Sequence, residues 1–539
     1  MFSDLLNKLN SDTTGSLQHH FGAELWLSVT IVVMLLFRLL SLDRFVPTFI
    51  VALVGAAAAG WAAFGQFSEI VAADGVAPLT FFGDMLRHDL FSVFFRIFLA
   101  LFLILTIALT VLTGIPDNED APDFYSLLLG ATIGMMIMAS ANNLLMLFLG
   151  VEMASVPSYA MVGFLKGRKP SSEAALKYVV YGAGAAGVML YGISLVAGVL
   201  GTGDMSLMAE RLSIVAESGS AGFGDPEVRT VALGVMLVMV GLAFKLSLVP
   251  FHFWCPDAFE GASAEVAGFL SVASKAGAFA LLVRFCIGLS GVPATAELMT
   301  AFGIGLGAIA CVTATFGNLA AYTQRNIKRL LAYSTIAHAG YMLMAVAALL
   351  VMINSGSAKA LTHDINACIG GLLYYLAVYL FMNLGAFAVV ALVRNYTFNE
   401  DVDSFKGLIG QSPALCITML VCLFSLIGVP PFGGWVGKFM IFASVYKAAQ
   451  LHWAMYVVLA VGGLNTVFSV FYYLRIIRAM VLEERPADAP SVKLPSMEGY
   501  YVCVLAGMVL LLGLAPGLVN GLTAIASKAG DSVMAVIGR

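Results

Sequence analysis

Long apolar runs, separated by short charged or glycine- and proline-rich breaks, fill this chain almost end to end. Taken in order they predict membrane-crossing helices over 22–41, 46–64, 90–113, 124–138, 141–164, 173–201, 229–247, 263–289, 296–322, 327–352, 366–395, 413–447, 452–480 and 497–523. The fourth run is short and lies close to the fifth. The runs are continuous rather than alternating apolar and polar, so they read as helices and not as strands of a transmembrane barrel. The expected fold is an all-α polytopic membrane protein of about fourteen transmembrane helices. Composition agrees. Of 539 residues, 60% are hydrophobic and 11% are charged, where soluble domains carry about 25% charged residues. A water-soluble enzyme is excluded.

Several chemistries fall away as well. The seven cysteines form no CxxC or Cys/His cluster and sit mostly in apolar runs, which argues against disulfide, zinc and iron–sulfur sites. No GxGxxG follows a strand and no GxxxxGK[ST] occurs, so a nucleotide site is not expected. A formal net charge of −4 without a long basic stretch argues against nucleic acid. The segment MFSDLLNKLNSDTTG has no basic region leading into an apolar core, so no cleavable signal peptide is expected and the first span would direct insertion.

Loop charges give an orientation. Lys and Arg crowd the odd-numbered loops, with Arg38, Arg44, Lys166, Arg168, Lys169, Arg325, Lys328, Arg329, Lys406 and Lys493 among them, and are sparse in the even ones, with Arg87, Arg211, Arg229, Lys359 and Lys447. The positive-inside rule then puts the odd loops in the cytoplasm and both termini outside. The acidic stretch 117–123 lies in an inside loop but counts little in this rule.

A repeat is also legible. Span seven ends Lys245-Leu-Ser-Leu-Val-Pro-Phe-His-Phe-Trp254, and span twelve holds Ser425-Leu-Ile-Gly-Val-Pro-Pro-Phe-Gly-Gly-Trp435. Both read Ser-Leu, Val-Pro, then Pro-Phe-x-x-Trp, with Pro250 and Pro431 aligned and Pro430 beside the latter. Proline inside a membrane helix removes a backbone hydrogen bond and breaks the helix. The two spans enter from opposite sides, as inverted-topology repeats require. This divides the chain into 1–123 (spans one to three), 124–289 (first five-helix repeat), 296–480 (second, inverted repeat) and 481–539 (span fourteen and tail).

The candidate chemistry is a set of ionisable groups near span centres: Glu152, Lys245, Lys275, His338 and Lys438. A mid-membrane charge costs about 2.5–3.5 kcal/mol on insertion scales, so such groups face the bundle interior or water and usually have a function. Bland readings exist for each. Glu152 and Lys245 could be a structural ion pair, Lys275 a lone buried lysine, His338 an interhelical hydrogen bonder, and Lys438 a residue that partly snorkels outward. Lys177, near the inner end of span six, is as easily structural as functional, and Arg96 and Arg284 read as snorkelling at outer span ends. Five central groups together are hard to explain as glue. A buried lysine's proton affinity responds to small movements of a nearby carboxylate, so such a row can pass protons across the membrane. Proton or Na⁺ translocation is the reading from the residues.

The segments EAALKYVVYGAGAAGVMLYG, GLAFKLSLVPFHFWCPDAFEGASAEVAGFLSVASKAGAF, NLAAYTQRNIKRLLAYSTIAHAGYMLM and SLIGVPPFGGWVGKF resemble the antiporter-like membrane subunits of respiratory complex I, NADH-quinone oxidoreductase. The resemblance covers roughly 125–480. It implies fourteen helices in two inverted five-helix repeats with broken helices seven and twelve. It also implies that Glu152 pairs with Lys245, that Lys275 is the central protonatable lysine, and that Lys438 faces the exit. Relatives often carry a lysine or histidine in helix eleven. Here that helix offers Tyr379 and Asn383, so water or His338 would have to link Lys275 to Lys438. The chain ends soon after span fourteen, without the long lateral helix of the largest antiporter-like subunit, which makes that subunit a poor match. The implied role is proton translocation in a bacterial inner membrane, beside neighbouring membrane subunits and lipid. No cofactor is expected in this chain, and flavin, iron–sulfur clusters, NADH and quinone would belong to partner subunits. The alternatives are a subunit of a multisubunit cation/proton antiporter or membrane hydrogenase, and a stand-alone solute transporter.

Overall fold

The computed structural model describes residues 12–72, 78–117, 119–218, 224–356, 360–486, 490–492 and 494–535. Lys359 and Lys493, which enter the loop-charge argument, lie outside the described residues. Among the described residues thirteen helices are long and apolar enough to cross a membrane, and a bent pair ending in Pro413–Ile427, counted as one span, brings the number to fourteen. The reason is elementary: in hydrocarbon every backbone N–H and C=O must be satisfied within its own segment, and a helix does this along its whole length.

Burial sorts the spans. Ala264–Gly288 (eight) and Ile327–Ile353 (ten) are wholly enclosed and Thr362–Thr397 (eleven) nearly so, whereas Gly22–Leu39 (one), Lys169–Leu200 (six) and Ala454–Val481 (thirteen) are largely uncovered. The uncovered spans carry their exposed apolar side chains outward, among them Trp26, Leu176 and Phe471, as lipid-facing surfaces do. Spans eight, ten and eleven form the axis of the bundle, and polar groups placed there are sealed from lipid.

Both expected breaks are present. Span seven is helical over Pro226–Leu246, turns at Ser247 with φ +59°, and resumes as Trp254–Gly261. Span twelve is helical over Pro413–Ile427, turns at Gly428 with φ +87°, and resumes over Gly433–Ala449. The i→i−4 ladder is interrupted at Pro250 and at Pro430-Pro431, and other partners take the freed groups. Val249 N–H donates to Thr313 Oγ1 (3.1 Å) and Trp254 Nε1 to Phe244 O (2.9 Å). Gly434 N–H donates to Ser425 Oγ (3.0 Å).

Four features differ from the sequence expectation. The last span stops at Leu514 rather than near 523, because Ala515 is extended and Pro516 opens a new helix, Pro516–Met534. That helix packs on spans eleven and three, tied by Asn366 to Asp531 and by Phe91 N–H to Ser532 Oγ (3.2 Å). A short hairpin, Leu79–Phe81 with Leu86–His88, precedes span three. A further helix, Met208–Ser218, lies between spans six and seven. Finally, Arg96 and Arg284 do not snorkel. Arg96 is wholly buried and pairs with Glu24 (2.7 Å), with Gln66 and His88 each 3.3 Å away. Arg284 forks onto both oxygens of buried Asp89 (2.7 and 3.0 Å). A carboxylate within reach removes the need to extend to water, and bidentate guanidinium geometry suits it.

Candidate functional site

Span ten carries the centre of the site along one face. Thr335, His338 and Tyr341 are one helical turn apart in succession and cover about 9 Å of the axis. At one end, Lys275 of span eight donates from Nζ to Thr335 O (2.7 Å). In the middle, His338 Nδ1 meets Tyr375 Oη of span eleven (2.5 Å) and Nε2 meets Tyr473 Oη of span thirteen (3.2 Å). At the other end, Lys438 Nζ of span twelve lies 4.6 Å from the centre of the Tyr341 ring. All of these side chains are buried, and both lysine charges act on His338. The structure therefore brings Lys275, His338 and Lys438 into one row.

Local backbone geometry positions each lysine. Lys275 follows immediately on a π-helical turn, Leu270–Ser274, that interrupts span eight. Such turns shift the register of the side chains that follow and recur at functional sites. Lys438 reaches back across the break of its own span and donates to Leu426 O (2.8 Å) and Ile427 O (2.9 Å). These are terminal carbonyls of a half-helix, which have no intrahelical partner. Space is tight here. A methyl group at Gly437 would stand 2.5 Å from the Tyr375 ring.

Lys245 ends the first half of span seven and is wholly buried. Among the described residues no direct ion pair joins Lys245 to Glu152, which was expected to touch it or share one water with it. Lys245 Nζ donates instead to Ser155 Oγ (2.9 Å), on span five one turn beyond Glu152. Glu152 is only partly buried, yet close enough for its charge to act on Lys245. The physical reason is burial. The enclosed ammonium takes a hydroxyl at its own depth, while the half-open carboxylate keeps some access outward.

Lys177 stands apart from the row. Partly exposed, it bridges Glu173 (2.8 Å) and Asp257 (2.9 Å), and Asp257 also holds Arg329 (2.6 Å). Reading the sequence missed Asp257, Arg329, Ser155, Thr335, Tyr375 and Tyr473. The only local hint was that Tyr375 and Tyr379 are four apart in span eleven and so share a face with each other, which says nothing of Tyr473 or of His338. Tyr379 and Asn383 are where span eleven was expected to offer them. The Tyr379 ring lies 5.5 Å from that of His338, and Asn383 donates to Ser271 Oγ (2.6 Å).

Among the described residues no group of three or more His, Cys, Asp or Glu is arranged to hold a metal ion. What the site offers is a row of titratable and hydroxyl groups within an apolar wall.

Residues 141–464 match the family described as NADH:quinone oxidoreductase/Mrp antiporter, TM. The chain belongs to this family. The NADH-quinone oxidoreductase subunit N of Anaeromyxobacter sp. is 37% identical over 464 residues, covering 83% of this chain and 86% of the relative. A chain of respiratory complex I from Thermus thermophilus is 29% identical, with a TM-score of 0.71 over 94% of this chain and 99% of that one. A chain of the Mrp complex from Dietzia sp. has a TM-score of 0.76 at 18% identity, over 95% and 99% of the two chains, a likeness of fold alone. The matched region contains the whole row from Lys245 to Lys438, and within that stretch the motifs PFHFWCPDAFEGA and NIKRLLAYSTIAHAGY.

Proposed function

We propose a residue-level route for the activity of this subunit. The chain is a proton-translocating membrane-arm subunit of an NADH:quinone oxidoreductase, a multi-pass protein within a multisubunit membrane complex. In our reading Lys275 holds the proton at the centre, Lys245 with Glu152 sets its affinity, and His338 with Tyr375 and Tyr473 connects it to Lys438, which faces the exit. The observation that carries this is the placement of Lys275, His338 and Lys438 along one face of a wholly enclosed helix. A buried lysine with a single backbone partner gives up its proton when a nearby charge moves. Moving one charge against 100 mV requires about 2.3 kcal/mol, within reach of a modest change in ion-pair geometry.

Two broader features belong to the same proposal. Spans four to eight and nine to thirteen act as inverted repeats. This is supported by the paired breaks and by recurring neighbours: four packs on five and nine on ten, six on seven and eleven on twelve, four on eight and nine on thirteen. The termini face outward from a bacterial inner membrane, on the strength of the loop charges. Flavin, iron–sulfur, NADH and quinone chemistry is assigned to partner subunits. The test is to purify a tagged form of this chain from membranes. Co-purifying flavin and iron–sulfur subunits support the reading, whereas recovery with only cation-antiporter subunits, or alone with substrate-dependent transport, overturns it.

A further inference from the structure

Glu265 is wholly buried at the start of span eight, and among the described residues nothing hydrogen-bonds either of its carboxylate oxygens. A buried carboxylate left without a partner is among the costliest arrangements in a protein, and each such group calls for an explanation. Its position supplies one. Lys275 follows on the same helix, about 15 Å away at 1.5 Å per residue. Between them lies Ser271, which donates to Gly268 O (2.7 Å) and accepts from Asn383 of span eleven (2.6 Å). Asn383 Oδ1 and Ser274 Oγ are also buried without partners. Unpaired polar atoms thus recur from Glu265 to Lys275 while the surrounding side chains are apolar.

The other end of this line reaches the surface. A polar cavity of about 200 Å³ is walled by Glu173, Lys177, Asp257, Glu260, Gly261 and Arg329. From Gly261 the chain runs through Ala262, Ser263 and Ala264 to Glu265. Lys328 stands over this passage, donating to Ala262 O (2.6 Å) and pairing with Glu400 (2.8 Å), which Arg394 also approaches (3.5 Å). Lys328 lies near enough for the Glu265 charge to act on it, but its ion pair is with Glu400.

We propose that Glu265 is the proton-loading carboxylate that feeds Lys275 from the face bearing this cavity. A proton leaves water in the cavity and binds the carboxylate, giving the neutral acid. It then passes by way of Ser271 and Asn383, with mobile water, to the free amine of Lys275, and the carboxylate is regenerated. The inference rests on the assignment of Lys275 made above.

The experiment uses the whole complex in sealed vesicles, measuring proton uptake and quinone reduction together. Three variants are compared with wild type: Glu265→Gln, Glu265→Gln with Lys328→Met, and Lys275→Met. The expected result is that both Glu265 variants lose proton uptake per electron to the extent that Lys275→Met does. Normal uptake in Glu265→Gln, or recovery in the double variant, makes Glu265 at most a counter-charge and overturns the proposal. Failure of both Glu265 variants to assemble overturns it too, as a structural requirement. If Lys275→Met itself pumps normally, the underlying assignment fails, an outcome distinct from failure of Glu265 alone.

Discussion

Methionine in place of Lys275 and of Lys438, compared side by side, separates proton handling from helix capping. Methionine is apolar and close to lysine in length, so both variants keep most of the packing. At position 275 the lost interaction is a single bond to Thr335 O, a carbonyl inside a continuous helix whose i→i−4 ladder keeps it paired. A charge-assisted bond of about 1.5–3 kcal/mol disappears, but so does the desolvation of a buried ammonium, which costs several kcal/mol. Stability should change little. At position 438 two carbonyls, Leu426 O and Ile427 O, lose their donor at the end of a half-helix. Each buried acceptor left unpaired costs about 1–3 kcal/mol, so this variant should be less stable than Lys275→Met by about 2–6 kcal/mol. Complexes of this kind unfold irreversibly, so the assay is the rate at which the heated, purified complex loses this subunit. Lys438→Met should lose it markedly faster. Equal rates, or faster loss from Lys275→Met, would refute the capping argument.

Three further outcomes follow from the geometry. Gly437→Ala pushes a methyl group against the Tyr375 ring and should impair pumping while subunit assembly persists, readable in the same vesicles. Glu24→Gln leaves Arg96 buried without its carboxylate and should destabilise the packing of spans one to three by about 3–5 kcal/mol, visible as faster proteolysis of the first loop. His88, outside the spans, is held to about 3 from its usual 6.5 by burial first and by Arg96 and His20 next. The unfolded state therefore binds the extra proton, and stability present above pH 6.5 is lost as pH falls toward 3, by up to about 1.4 kcal/mol per pH unit. His88→Gln should flatten that acid dependence of heat resistance.

The spans and their breaks were legible because bilayer chemistry leaves a chain few options. Continuous apolar runs must be helices, and the repeated Val-Pro and Pro-Phe-x-x-Trp at Pro250 and Pro431 marked the two breaks, whereas Pro157 sits inside the unbroken span five. Mid-span charges were legible for the same reason: Lys275, His338 and Lys438 stand out against hydrocarbon. Their partners were not. Tyr375 and Tyr473 sit in apolar runs where an aromatic ring usually only packs, and nothing local says that their hydroxyls converge on His338. The pairings of Arg96 with Glu24 and Arg284 with Asp89 join residues far apart in sequence, so proximity to a span end suggested snorkelling where tertiary structure supplied a carboxylate. Glu152 and Lys245 show a partner that went unseen beside one that was foreseen. The Glu152 charge does reach Lys245, but that Lys245 would donate to Ser155 could not be read from depth along the span. The π-helical turn before Lys275 has no sequence signature that the apolar pattern could reveal.

The central claim is that protons pass through Lys275. The most direct test reconstitutes the complete complex with Lys275→Met in sealed vesicles and measures protons moved per electron delivered to quinone. We predict a ratio below wild type in a complex of full subunit content. An unchanged ratio at an unchanged rate of quinone reduction would contradict the claim.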